Sequence, residues 1–204
     1  MKNVDVLMVG VGGHGVIMAS DAMAEIGMNN GYDVKKSDTL GLAQRGGSVT
    51  SHVRWGKHVF SPIIKKGNVD FILGFEQLEA ARWASYLKPG GLAIIADVVV
   101  VPVAAVDSRV PYPSWDEITQ IFKPYTDTVY MAHAAQIGRE VNNPRAMNMA
   151  MLGFLSAFLE LSSEGWTDTM RRRLPPKFVE SSVQAFIKGA DEAKALLSTN
   201  GGVK

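Results

Sequence analysis

The sequence predicts an α/β fold of three layers, α/β/α, with a mixed, mainly parallel sheet and a helical C-terminal part. Three observations predict it. Apolar runs of strand length recur at residues 4–9, 69–75 and 92–97, each continuous enough to be buried on both faces. The first two run straight into stretches of helical period, the order that builds parallel strands with covering helices. From residue 132 onward the apolar spacing stays helical almost to the end. With 204 residues and 47% hydrophobic content the chain can bury its own core, read as one domain with an α/β core over 1–131 and a helical part over 132–198.

The elements follow in order. After the first strand, residues 13–28 change period, and Val16, Ile17, Ala19, Ala22, Met23 and Ile26 form one stripe. Residues 32–36 read as a second strand pairing in parallel with the first, which completes a βαβ opening. Residues 37–47 are turn-rich. Residues 48–55 alternate in strand period with one polar face, and Gly56-Lys57 is expected to turn the chain back into a hairpin strand at 58–61, making the sheet mixed. The buried strand at 69–75 leads to a helix over 76–87, stopped by Lys88-Pro89-Gly90-Gly91, and residues 92–97 restore the strand pattern.

Residues 98–113 are extended and punctuated by proline, and Ser114-Trp115-Asp116-Glu117 has the spacing of a capping box. A short strand at 128–131 then precedes helices over 132–141, 145–161 and 176–197, with a short turn near 168–173. The last helix sets Val179, Val183, Phe186, Ile187, Ala190 and Leu197 on one face. Met147, Met149, Met151 and Phe154 read as core residues, Asn142-Asn143-Pro144-Arg145 as a helix break, and Arg171-Arg172-Arg173 as a solvated helix end.

Composition narrows the function. Twenty-one basic against 20 acidic residues leave a net charge of +1, so no overall field draws the chain to nucleic acid or to an anionic membrane. The absence of cysteine removes disulfides, thiolate nucleophiles and cysteine-ligated zinc or iron–sulfur clusters. The two longest apolar stretches are broken by Asp97 and Pro102 and by Asn148 and Glu160, short of the ~20 residues that span a bilayer. The start lacks the basic, apolar and small-residue regions of a secretory signal, so a cytoplasmic location is expected.

Gly10-x-Gly12-Gly13-x-Gly15 lies where a strand turns into a helix. There Gly10 permits the turn, Gly12 lets the backbone approach an anion, and Gly15 lets helix pack on strand. The helix N-terminus adds unpaired N–H groups and a positive dipole end. Phosphate binding and a tight packing turn are both open readings, and His14 is either a ligand donor or a helix-start residue. A dinucleotide site also wants an acid about 20 residues on, at the end of the second strand. Here that region reads Lys35-Lys36-Ser37-Asp38: the acid is late and two lysines precede it.

The stretch SDTLGLAQRGGSVTSHVR, residues 37–54, is the most unusual in the chain. Arg45-Gly46-Gly47 offers a cationic fork beside close-approaching backbone, flanked by Gln44. Arg45 is either a ligand contact or an arginine holding its own turn. Ser51 and His52 are sequence neighbours on a strand and point to opposite faces, so they form no nucleophile and base pair.

GVGGHG, this stretch, SPIIKKGNVDFILGFEQLEAARWASYLKPGG and NNPRAMNMAMLGFL together resemble, in matching order from about residue 4 to 195, the gamma-type subunit or domain of the 2-oxoacid:ferredoxin oxidoreductases, above all its indolepyruvate branch. The resemblance implies oxidative decarboxylation of a 2-oxoacid, here an aryl pyruvate, with thiamine diphosphate, magnesium, [4Fe-4S] clusters, ferredoxin as electron acceptor and coenzyme A as acyl acceptor. It implies a heteromer. The chain has neither cysteines nor a Gly-Asp-Gly motif followed by an asparagine pair, so thiamine diphosphate, magnesium and the clusters are expected on a large partner subunit, with ferredoxin reached through the complex. Substrate or coenzyme A contacts are expected from Gly10, Gly12, Gly13, His14, Gly15, Asp38, Gln44, Arg45, Gly46 and Gly47. The competing readings are a stand-alone NAD(P)-dependent reductase using the glycine loop and a non-catalytic interaction module.

Overall fold

The computed structural model describes residues 2–41, 46–101 and 111–200. One six-stranded sheet runs in the order β2-β3-β1-β4-β5-β6. Its strands are β1 (Val4–Val11), β2 (Asp33–Leu40), β3 (Ser48–Gly56), β4 (Val69–Gly74), β5 (Leu87–Ala96) and β6 (Val129–Ala132). The described helices are α1 (Val16–Asn29), α2 (Gln77–Arg82), α3 (Trp115–Phe122), α4 (Ala134–Glu140), α5 (Met147–Ser156), α6 (Ser163–Arg173) and α7 (Pro176–Asn200). None is long and apolar enough to cross a membrane.

β1 shows how the layers arise. Its side chains alternate between faces, so Val6 and Met8 join the core under α1 and the C-terminal helices, while Leu7 and Val9 join the core with Ile118 and Phe122 of α3. All four are fully buried, which explains a strand with no polar face. The expected three-layer α/β architecture is present. β1, β4, β5 and β6 are mutually parallel, and β3 is antiparallel to both of its neighbours.

The source of the mixing differs from expectation. β2 does not pair with β1; β3 inserts between them, with Val34 opposite Trp55 and Val6 opposite Val53. Residues 58–61 form no strand, and β2 continues through Ser37 to Leu40 where turns were expected. Buried His52 instead ties down the segment after β3: its Nδ1 accepts the Ile64 N–H at 3.2 Å. Ser51, on the other face, donates to Asp38.

Two further boundaries shift. The helix after β4 stops at Arg82, a 3-10 turn spans Ala84–Tyr86, and Lys88-Pro89-Gly90-Gly91 lies inside β5, where the register to β4 slips between Val69↔Leu87 and Phe71↔Leu92. Residues 163–173 make a full helix rather than a short turn. The Ser114 capping box is present with both of its hydrogen bonds. Met147, Met149, Met151 and Phe154 are buried as read.

α5 and α7 pack backbone to backbone through facing glycines. A Cβ on Gly153 would lie 2.0 Å from the Phe186 carbonyl oxygen, and one on Gly189 2.1 Å from that of Ala150. Val183, Phe186 and Ala190 of α7 are buried there, whereas Ile187, expected on the same face, is exposed. The arginine triplet ends α6: Arg172 and Arg173 pair with Glu25 of α1, Arg173 at 2.8 Å, while Arg171 pairs with Asp168 of its own helix.

Candidate functional site

Because β1, β4, β5 and β6 are parallel and β3 is reversed, the carboxyl ends of the parallel strands meet the start of β3 at one sheet edge. Open α/β sheets bind their ligands at such an edge. The glycine loop, Gly46-Gly47, Phe75-Glu76 and the segment from Asp97 converge there.

The loop is built by close contacts. Gly10 closes β1 against the β4–α2 turn: a Cβ on it would stand 2.8 Å from Phe75 Cβ. The Phe75 N–H donates to Val9 O at 2.7 Å. Gly12 and the second motif are joined directly. The Gly12 N–H donates to Gly47 O at 2.8 Å, and the Gly46 N–H donates back to Gly12 O at 3.4 Å. The N–H expected to meet an anion is therefore engaged by Gly47.

Gly13 has φ 107°. Gly15 is the N-cap of α1 with φ 78°, and no side chain caps the helix. A Cβ on Gly15 would lie 2.5 Å from Nδ2 of buried Asn148, which donates to Gly15 O at 3.5 Å. Half-buried His14 encloses its Nδ1 with no hydrogen-bond partner among the described residues. An enclosed, unpaired imidazole nitrogen beside an uncapped helix start is a polar group in want of a partner.

Other candidates fall elsewhere. Asp38 belongs to β2 rather than to a loop. Its carboxylate accepts from Ser51 Oγ at 2.6 Å and pairs with Lys36 at 2.5 Å, while Lys36 also meets Asp21 at 2.8 Å. Gln44 and Arg45 lie outside the described residues.

A group of polar residues around buried Glu76 and Glu79 joins the same edge. Glu76, almost fully buried, caps α2 by accepting the Glu79 N–H at 2.8 Å. Its other oxygen accepts the Val100 N–H at 3.1 Å and the Tyr112 hydroxyl. Tyr112 Oη in turn accepts the Leu78 N–H at 2.9 Å. Burial first, and then the Glu76 carboxylate, pushes the Tyr112 phenol well above its usual value, so it acts as a fixed neutral donor. Ser48 Oγ donates to Glu79 Oε2 at 2.6 Å, tying the start of β3 to α2. The position of Glu76 directly after a buried strand marks the edge in the sequence, but no local signal pairs it with Tyr112.

The family model described as pyruvate ferredoxin/flavodoxin oxidoreductase matches residues 5–192. The chain belongs to this family. Within the pyruvate ferredoxin/flavodoxin oxidoreductase family it is 32% identical over 200 residues to indolepyruvate oxidoreductase subunit IorB of Thermococcus kodakarensis, covering 97% of this chain and 99% of that one. It is 33% identical over 189 residues to the subunit of the same name from Methanothermobacter thermautotrophicus, covering 92% and 96%.

Solved structures share the fold. A keto/oxoacid ferredoxin oxidoreductase gamma subunit from Geobacter sulfurreducens superposes with a TM-score of 0.68 at 21% identity, over 94% of this chain and 99% of that one. A 2-oxoglutarate:ferredoxin oxidoreductase from Magnetococcus marinus, with 2-oxoglutarate, coenzyme A and succinyl-CoA bound, gives 0.72 at 19% identity. That match covers 96% of this chain and 32% of that one. The six-stranded mixed sheet is thus the family's gamma-subunit fold.

Proposed function

We propose that this chain is the small subunit of an indolepyruvate ferredoxin oxidoreductase, an enzyme that oxidatively decarboxylates an aryl pyruvate. In that reaction the carboxylate leaves as carbon dioxide, the acyl group passes to coenzyme A and the electron pair to ferredoxin. The observation that carries the reading is the end-to-end match to subunits named IorB, about 97% of this chain against 99% of the relative from Thermococcus kodakarensis. Coenzyme A in the Magnetococcus marinus relative makes it a chemically reasonable co-substrate here.

The donor set does not fit the family's clusters: without cysteine the chain offers no thiolates for iron. In this proposal thiamine diphosphate, magnesium and the [4Fe-4S] clusters belong to a large partner subunit, and this chain supplies a wall of the assembled site. With the Gly12 N–H engaged, the loop presents the α1 N-terminus and the His14 imidazole to an anion. Arg45, next in sequence to the Gly46-Gly47 turn that holds Gly12, supplies a charged fork for a substrate carboxylate or for coenzyme A phosphates.

The test is co-purification of the tagged chain from its own cells. A large partner carrying thiamine and iron, with viologen reduction that depends on indolepyruvate and coenzyme A, is expected. A monomer that binds NADH or NADPH tightly on its own overturns the proposal. In the intact complex, Arg45→Ala should raise KM for one of the two substrates by about tenfold, the effect of ~1.4 kcal/mol from a charge-assisted hydrogen bond. Unchanged kinetics would remove Arg45 from the site.

A further inference from the structure

At the other end of the sheet lies a cavity of about 320 Å³. It sits among the first residues of β1, the end of β3, the starts of β4 and β5, and residues 158–161 after α5. Its size is at the lower end of the ~300–1,000 Å³ range of small-molecule pockets. β1 separates it from the glycine loop by its own length, eight residues or roughly 25 Å.

The lining has a distinct chemistry. Tyr32, Phe71, Leu92 and Phe158 are only partly buried and all border the cavity. Tyr32 packs against Trp55 at 5.5 Å between ring centroids, and Phe71 against Phe158 at 6.3 Å, both pairs tilted and all four rings lining the cavity, so the aromatic walls hold one another in place. Flat faces held in place suit a planar apolar group.

The charged groups at the rim divide into two sets. Asp70 is committed: one oxygen accepts the Asp5 N–H at 2.7 Å and the other pairs with Lys88. Lys2 and Glu160 also line the cavity, are exposed, and make no ion pair among the described residues. The cavity therefore offers one uncommitted cation and one uncommitted anion beside aromatic walls.

We propose that this cavity binds a small zwitterion with an aromatic side chain, a free aromatic α-amino acid. Lys2 takes its carboxylate, Glu160 its ammonium, and the Tyr32, Phe71 and Phe158 faces its ring. A purely apolar ligand would leave both charges unused, and an anion would meet Glu160 as a like charge. Lying at the end of the sheet opposite the glycine loop, the site does not compete for that edge. It does not depend on the proposed function.

The test is calorimetric titration of the full chain with L-phenylalanine and L-tryptophan, alongside 3-phenylpropanoate and phenethylamine, which each lack one charge. Saturable one-to-one binding with Kd of about 2 mM or below is expected for L-phenylalanine and tighter for the larger L-tryptophan, given ~0.3 kcal/mol per heavy atom. Each single-charge analogue, and each of the variants Lys2→Gln and Glu160→Gln with the full zwitterion, should bind at least about threefold more weakly, the scale of an exposed ion pair. Both variants sit on exposed side chains and should melt with the parent protein. Absence of saturation up to about 10 mM overturns the proposal, and so does affinity unchanged in both variants, which would place binding elsewhere.

Discussion

Replacing Gly15 by alanine probes the joint between the glycine loop and the C-terminal helices. Two costs are separable. Gly15 has φ 78°, and holding an L-residue there costs roughly 1–2 kcal/mol. The new Cβ would also lie 2.5 Å from Asn148 Nδ2, and Asn148 is buried, so its side chain must leave its rotamer at roughly another 0.5–1.5 kcal/mol. The sum is about 1.5–3.5 kcal/mol, or a fall in melting temperature of roughly 3–14 °C for a chain of this size. Thermal and urea unfolding of Gly15→Ala, Asn148→Ala and the double variant measure it. Asn148→Ala removes the Nδ2 and Cγ contacts without changing the backbone conformation and leaves only the Cβ, at 3.2 Å, so the double variant should recover most of the steric part, a coupling of about 1 kcal/mol. If Gly15→Ala costs the same with and without Asn148, the contact is not what excludes a side chain at this position.

Three further outcomes follow from packing and protonation. Gly153→Ala places a methyl group 2.0 Å from a backbone carbonyl of α7; overpacking of about 1–3 kcal/mol should outweigh the ~1 kcal/mol gained in helix propensity, and a melting temperature at or above the parent's would contradict it. The Tyr112 phenol is raised by burial and by Glu76, so the native chain keeps a proton that the unfolded chain releases near pH 10.0; stability should hold below that pH and fall above it, and Tyr112→Phe should flatten the alkaline slope in urea midpoints while costing about 1–3 kcal/mol near neutrality by unpairing the Leu78 N–H. Burial, with Arg54 adding to it, holds the His52 imidazole below its usual 6.5, so the unfolded chain protonates first as pH falls. Stability should be present above pH 6.5 and decline below it, and His52→Gln should remove that part of the acid slope.

Much of this was legible locally. The buried strands, the α1 stripe and the Ser114 capping box rest on short-range periodicity and hydrogen bonding, which a sequence displays directly. Strand neighbours are not local: residues 32–36 have strand character whatever they pair with, and only the β3 contacts, Val34↔Trp55 among them, place β2 at the sheet's margin. Lys88-Pro89-Gly90-Gly91 carries every sign of a stop, yet the chain absorbs it as an irregularity in β5. At the site, the two glycine motifs were legible as motifs because each needs its residues close together. Their mutual hydrogen bonds, and the bond between Glu76 and Tyr112 across 36 positions, depend on tertiary contact.

The insertion of β3 also resolves why a loop with dinucleotide spacing lacks a dinucleotide environment. In a dinucleotide-binding βαβ unit the second strand lies beside the first, so its terminal acid reaches the ribose of a nucleotide held on the glycine loop. Here β3 stands between them, which moves β2 two strand spacings, roughly 9.5 Å, from β1. Asp38 is then turned to sheet chemistry, held by Ser51 and Lys36. The same insertion brings Gly47, at the entry to β3, against Gly12, whose N–H it occupies. One topological change thus removes the acid, blocks one anion contact and fastens the Gly46-Gly47 turn to the glycine loop. Close packing against Phe75 and Asn148 explains Gly10 and Gly15, Gly12 is hydrogen-bonded to Gly47, and the start of α1 is left without a side-chain cap beside the His14 Nδ1, which has no partner among the described residues.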